Sequence, residues 1–383
     1  HEGERNLILQ LDYVHPFAQE GKFELGYRGG LRDLRNNFQV EQLDNDVWSA
    51  LPGLTNEMLY DENIHAAYAI LGNKIRRFSW QGGLRVEVSD IRTELLRTQE
   101  INDRPIYTNL FPSAHVGYEL PNQQALQISY SRRIRRPRFW DLNPFFTYSD
   151  ARNFRSGNPN LNPEFTDAYE LSHLKRWEKG SFTSALYFRH TGGVIERIRQ
   201  QLSDTSSLSF PVNLSTQNDL GLEFTGSADL LPFWKLNGNL NFFRSITEGD
   251  YQGQDFNADT YTWSGRLSSR LTLWRKLDLQ TNLNYNAPRN TTQGKSKAFY
   301  HADLAASMDI LKTQGTLTLS VRDVFNSRRW RYITRGDDFY TEGDFQWRAR
   351  QVSLTLSYRI NRQKEKGQER NGSEGGERMN QEF

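Results

Sequence analysis

Apolar and polar side chains follow one another with a period of two along most of the 383-residue chain. That spacing sends neighbouring side chains to opposite faces of an extended strand. In Leu277-Asp278-Leu279-Gln280-Thr281-Asn282-Leu283-Asn284-Tyr285, one face carries Leu277, Leu279, Leu283 and Tyr285, and the other Asp278, Gln280, Asn282 and Asn284. Residues 220–230 set Leu220, Leu222, Phe224, Ala228 and Leu230 against Glu223, Thr225, Ser227 and Asp229. Leu317, Leu319 and Val321 oppose Thr316, Thr318, Ser320 and Arg322; near the end, Val352, Leu354, Leu356 and Tyr358 oppose Ser353, Thr355, Ser357 and Arg359. The rhythm predicts about fifteen strands. Their cores fall at 6–14, 22–31, 63–72, 78–92, 108–120, 125–137, 167–175, 181–200, 217–230, 235–246, 259–272, 276–287, 297–310, 315–326 and 346–360.

The connections between these segments alternate in length. Short turns are expected near His15–Gly21, Gly72–Arg77, Pro121–Gln124, Trp177–Gly180, Leu231–Trp234, Trp274–Lys276 and Lys312–Gln314. Long loops are expected near 32–62, 93–107, 138–166, 201–216, 247–258, 288–296 and 327–345. A soluble sandwich or propeller has no reason to gather every long loop at one end, whereas outer-membrane barrels place short turns in the periplasm and long loops outside. The pattern therefore predicts an all-β protein, a transmembrane antiparallel up-and-down β-barrel over residues 1–362, in the cell outer membrane. The last strand then runs inward, and with fifteen strands so does the first. A complete bacterial barrel has an even count and starts outward, so an odd number of strands is expected in front. The chain begins within a strand and carries no export signal, so an upstream amino-terminal part is expected too.

Composition fits this picture once the two faces are separated. Mean hydropathy is −0.76 and 36% of residues are apolar, values that by themselves suggest a soluble chain. Aromatics reach 13%, however, and disordered chains are poor in them. In a barrel only alternate residues meet lipid, so low average hydropathy is ordinary. Apolar runs such as Ala66–Leu71 are far short of the roughly 20 residues of a spanning helix. Tyr13, Phe233, Trp234, Trp274, Phe243, Tyr285, Phe325 and Tyr358 fall near segment ends, where rings form interfacial girdles. Glu223, Arg266, Arg270 and Asp303 fall on the polar parity, toward the lumen. A net charge of +2 gives no pull toward nucleic acid, and the absence of cysteine removes disulfides and thiolate chemistry.

Several motifs carry two readings. Gly157-Asn158-Pro159-Asn160-Leu161-Asn162-Pro163-Glu164 reads as a rigid return into the next strand, with Glu164 bonding locally, rather than as a ligand contact. Arg132, Arg133, Arg135, Arg136 and Arg138 read as a lumen ladder paired with acidic neighbours; contact with lipopolysaccharide or an anionic substrate is the alternative. Trp140, Phe145, Phe146, Tyr148 and Phe154 fit either stacking on a sugar or chelate or packing of their own loop. The histidines, including His65, His115, His173, His190 and His301, lack metal-ligand spacing. Asp337-Asp338 and Asp44-Asn45-Asp46 lack the calcium-loop pattern and read as solvated loops. No catalytic, cofactor-binding or metal-binding residue is assigned, no cofactor is expected, and substrate-contacting residues stay undefined. There is no nucleophile elbow, P-loop or dinucleotide fingerprint, so no enzyme is expected.

One stretch carries a family resemblance. Tyr130-Ser131-Arg132-Arg133, Arg136-Pro137, Asp141-Leu142-Asn143-Pro144-Phe145, Ser156 to Glu164, and Glu170-Leu171 together resemble the TonB-dependent receptors of the outer-membrane β-barrel family. Arg322-Asp323-Val324-Phe325-Asn326 and the ending Leu354-Thr355-Leu356-Ser357-Tyr358-Arg359-Ile360 resemble it as well. The resemblance implies a 22-stranded barrel, of which these strands are the last fifteen, with an amino-terminal plug. It also implies nutrient import (a chelate, glycan, peptide or vitamin) driven through TonB, and a surface lipoprotein as a candidate partner beside outer-membrane lipid. A passive porin and an adhesion or protein-contact barrel are the alternatives. The charged, glycine-spaced segment 363–383 is expected to be a disordered periplasmic tail.

Overall fold

A computed structural model describes residues 2–51, 55–103, 105–145, 152–274, 276–311 and 314–360. Fifteen strands form one continuous antiparallel sheet in chain order. They are β1 (Glu2–Phe17), β2 (Gly21–Phe38), β3 (Asn56–Ile75), β4 (Phe78–Leu95), β5 (Tyr107–Leu120), β6 (Gln124–Arg135), β7 (Glu164–Trp177) and β8 (Gly180–Gly192). They continue as β9 (Thr216–Leu231), β10 (Trp234–Glu248), β11 (Ala258–Leu273), β12 (Leu277–Asn286), β13 (Phe299–Ile310), β14 (Gly315–Arg322) and β15 (Gln351–Tyr358). Each predicted segment corresponds to one of these strands, and each predicted short turn joins two of them. Ala18, Arg76, Asn122, Gln123, Trp274 and Leu311, with φ between 48° and 59°, reverse the chain at these turns.

The two faces differ as the alternation requires. One carries exposed apolar rows that run across the strands in register: Leu11 with Tyr27, Leu220 with Phe188, Leu267 with Leu283, and Leu319 with Leu354. At the long-loop end this face is bounded by stacked rings: Tyr130 and Tyr169 with centroids 4.9 Å apart, Trp263 and Tyr285 at 4.5 Å, and Tyr285 and Tyr300 at 6.3 Å. At the short-turn end it carries Tyr118, Trp177 and Tyr358. Eight to ten residues separate the two girdles, roughly 30 Å along a strand. Tilted by about 40°, that length spans an apolar band about 25 Å tall.

The opposite face is polar and cross-linked. Glu223 accepts from Asn239 at 2.8 Å, Arg266 donates to Asn284 at 2.9 Å, and Arg270 donates to Asp278 at 2.6 Å. Asp303 accepts the backbone N–H of Asp323 at 2.8 Å.

Four expectations need correction. Segment 181–200 is not one strand: β8 ends at Gly192, Gly193 turns the chain at φ 68°, and 195–203 pairs with 206–213 in a separate sheet. Apolar Val194 and Ile198 keep the parity of Leu186 and Phe188 through a break that the backbone makes. Segment 315–326 stops as a strand at Arg322, because Asp323 enters the left-handed region at φ 53°. The expected loops 32–62 and 93–107 are shorter, since β2 runs to Phe38, β3 starts at Asn56 and β4 runs to Leu95. Finally, the long loops hold sheets of their own, including 41–44 with 47–50, and 289–291 with 294–296, 330–335 and 340–345. The tail 363–383 lies outside the described residues.

Both outer strands of the main sheet, β1 and β15, have no second neighbour among the described residues.

Candidate functional site

At the long-loop end the inner wall turns apolar. Leu34, Met58, Tyr60, Ile91 and Leu95, on β2 to β4, are at most 5% exposed. What covers them is the connection between β6 and β7. Its four-residue helix α1 (Phe139–Leu142) inserts Phe139 and Leu142, and Leu161 follows, fully buried. This loop folds back over the wall instead of projecting from it.

Charge fixes its root. The Glu87 carboxylate is fully buried on β4 and accepts from the guanidinium groups of both Arg85 and Arg136. Arg136 also donates to Ser89 Oγ at 2.9 Å. A buried carboxylate is tolerable only when paired and hydrogen-bonded, and Glu87 has both. At the far end of the loop Glu164, 5% exposed, accepts from Arg135 and from the backbone N–H of Ile195.

Between these anchors the asparagines bracket backbone. Asn158 Nδ2 donates to the Pro211 carbonyl at 3.1 Å. Asn213 accepts the Asn162 N–H at 2.8 Å and donates back to its carbonyl at 2.9 Å. Asn102 donates to the Pro159 carbonyl at 2.8 Å. Gly157 passes so close to Asn143 that a Cβ there would sit 2.5 Å from its carbonyl oxygen; no other residue fits without displacement. The motif is a rigid return, with Glu164 as its local anchor.

Up to the end of β6 at Arg135 the basic run divides by parity, and Arg136, just past it, turns inward with the loop. Arg135 and Arg136 form the expected inner pairs, while Arg132 faces outward, its guanidinium 5.6 Å from the Phe165 ring. Arg133 shares the parity of Arg135, and Arg138 is exposed just before α1. Of the loop rings, Phe145 stacks on Phe38 at 6.3 Å, Phe154 is half-buried in its short strand, and Trp140 is 60% exposed. Phe146 and Tyr148 lie outside the described residues.

The histidines are spread around the wall: His65 bonds Tyr27, His173 bonds Gln124, His190 bonds Asn218, His115 approaches Gln127, and His301 bonds Asn284 and Arg328. Among the described residues no three His, Cys, Asp or Glu side chains come together as a metal site. Asn45 and Asp46 make the tight turn of a hairpin, both with positive φ. Asp337 meets Gln254 of a neighbouring loop at 3.4 Å.

Sequence reasoning missed two features. Apart from Ile91, the apolar inner patch fell within expected loops, although Met58-Leu59-Tyr60 breaks the alternation there. The loops also interlock: Gln293 accepts the Arg199 N–H at 2.7 Å and donates to its carbonyl at 2.9 Å, and Arg199 reaches Thr341 at 3.0 Å. Nothing in the spacing of 94 residues announces that contact. Beyond β14, Asp323 is 1% exposed and accepts the N–H groups of Ser327 and Arg328 at 2.9 and 3.0 Å. It makes the Arg322–Asn326 phrase a fixed corner.

A girdled apolar band outside, a polar wall inside and folded loops at one end define a membrane-spanning β-barrel of the outer membrane. The chain belongs to the outer membrane protein beta-barrel family, whose profile matches residues 1–358. Its fold is similar to that of the copper transporter OprC, with a TM-score of 0.66 at 15% identity over 93% of this chain and 56% of that one. It is likewise similar to the ferric yersiniabactin uptake receptor FyuA of Yersinia pestis, at 0.64 and 14% over 93% and 54%. The unliganded ferric citrate transporter FecA gives 0.63 and 12% over 93% and 54%. The chain thus spans about half the length of these proteins. No curated protein sequence matches it significantly. The expected fold, the family resemblance and the outer-membrane location are borne out.

Proposed function

We propose that this chain is the carboxy-terminal barrel portion of a nutrient importer driven through TonB. Its cargo is a chelate, glycan or peptide captured at the loop-covered mouth. The observation that carries this reading is the inward fold of the loop after β6 over the inner wall. A passive porin keeps a water-filled lumen open, whereas here a loop is latched across wall surface by a buried ion-pair cluster. The proteins of similar fold are a copper transporter, a ferric yersiniabactin uptake receptor and a ferric citrate transporter, which supports import and leaves the cargo class open.

The outer edges of β1 and β15, which have no neighbour among the described residues, support a larger barrel. Backbone groups facing lipid without partners cost several kcal/mol each, so further strands of the same protein are proposed to lie between these edges. Seven more would complete the 22 implied by the resemblance.

The test is growth and labelled-substrate uptake in a strain lacking the gene, with and without a protonophore. Uptake that disappears with either treatment supports a driven importer. Uptake that survives collapse of the proton-motive force indicates a passive pore, and unchanged uptake of every nutrient indicates an adhesion role.

A further inference from the structure

On the outward face of β5 to β9 the side chains leave a groove of about 360 Å³. Ala114, Ile128 and Leu171 line its floor, and the rings of Tyr130, Tyr169 and Phe188 stand along its upper side. Ala114 opens it: this small side chain stands in register with Tyr130, which is paired in turn with Tyr169 and then Phe188. The five strands place about 19 Å between the ends of the groove, on the order of an extended acyl chain.

The next outward row, two residues toward the long loops, is polar: Arg132, Asp167, His190 and Asn218 are register neighbours across β6 to β9. Three of the four are engaged. Tyr130 donates its hydroxyl to Asp167 at 2.8 Å, and His190 and Asn218 bond each other at 2.8 Å. Arg132 is exposed, and among the described residues no carboxylate lies within ion-pair distance of it. A guanidinium held by the face of Phe165 and by no ion pair therefore stands about 7 Å along the strand beyond the girdle, at headgroup height and on the side of the long loops.

Apolar contact alone does not select a lipid, because neighbouring tails are as apolar as the groove. Selection comes from the shape of the groove together with the cation above it, whose fork of donors suits phosphate. We propose that this groove is a specific site for one phosphorylated glycolipid of the outer leaflet, with an acyl chain beneath the rings and a sugar phosphate on Arg132. The side of the membrane decides the occupant. The cation stands at the outer surface, where the lipid carrying phosphate directly on its sugars is lipid A.

The experiment uses the full-length protein purified from outer membranes in mild detergent, with lipid A, dephosphorylated lipid A and phosphatidylglycerol as probes. Bound lipid is counted by native mass spectrometry. One lipid A per protein is expected to persist after washing. Arg132→Gln is expected to lower its retention about tenfold, the low end of a charge-assisted hydrogen bond, and Ala114→Trp to lower it by a similar factor by filling the groove. Leu267→Trp, outward but outside the groove, is expected to leave it unchanged. Folding of each variant is checked by heat-modifiable gel mobility. Should Ala114→Trp fail to fold, Arg132→Gln and the dephosphorylated probe still decide. Equal retention of dephosphorylated lipid A or phosphatidylglycerol, or retention untouched by Arg132→Gln, overturns the proposal in favour of ordinary annular lipid.

Discussion

Arg136→Met tests the latch that holds the loop after β6 on Glu87. The substitution keeps an apolar stem of similar length while removing the guanidinium that bonds Glu87 and Ser89. Deleting one partner of a buried pair costs about 3–5 kcal/mol. Arg85 still faces the carboxylate, so the lower end, about 3 kcal/mol, is the reasonable figure. At 1.4 kcal/mol per tenfold, opening of the loop should become about a hundred times more frequent. The loop still holds Phe139, Leu142 and Leu161 against the wall, so the barrel itself should be unaffected. The assay is hydrogen exchange at the bonded amides of Asn143, Gly157, Asn158 and Leu161, with β12 amides as internal reference. Glu87→Gln should accelerate exchange further, because it leaves the partly buried Arg85 and Arg136 facing each other without their shared carboxylate, and only the field of Glu62 still acts on Arg136. The reasoning fails if Arg136→Met leaves these amides within about twofold of wild type, the exchange equivalent of under 0.5 kcal/mol.

The sidedness of the sheet predicts that Leu279→Arg costs about 2–4 kcal/mol at mid-bilayer while Gln280→Arg is near neutral; equal denaturant midpoints in reconstituted vesicles would contradict it. Asp323→Ala removes two backbone caps and leaves alanine at φ 53°, a loss of about 2–3 kcal/mol. Asp323→Asn, which tolerates that backbone, should lose less, as read from unfolding of the barrel. In the outer hairpin 195–213, burial pushes the Glu196 carboxyl above its ordinary value, more than Arg289 lowers it. The folded hairpin then binds the proton more readily than the unfolded one. Its stability should therefore rise as pH falls from above the shifted value to the ordinary glutamate range, and decline as pH rises through the same window. Glu196→Gln should abolish that dependence in hairpin amide exchange, and a persisting slope would refute the assignment.

The sequence by itself determined the sheet. Alternation at a period of two tells which residues share a face, and the lipid then dictates that the apolar parity, such as Leu277, Leu279 and Leu283, points outward. Short turns are equally legible, because few residues separate the strands they join. The Asn-Pro spacing after Arg136 also declared a rigid return, since proline and asparagine act on their own backbone.

Tertiary structure alone decided what lies at the mouth. Glu87 looks like any wall carboxylate until the loop after β6 brings Arg136, 49 residues away, onto it. Gln293 is an ordinary loop residue until the hairpin carrying Arg199 meets it. Periodicity encodes direction relative to the strand, and it carries no information on where a loop folds. The break after Gly192 and the extension of β2 to Phe38 were lost for the same reason. A strand ends where its hydrogen-bonding neighbour ends, and that neighbour is supplied by the fold.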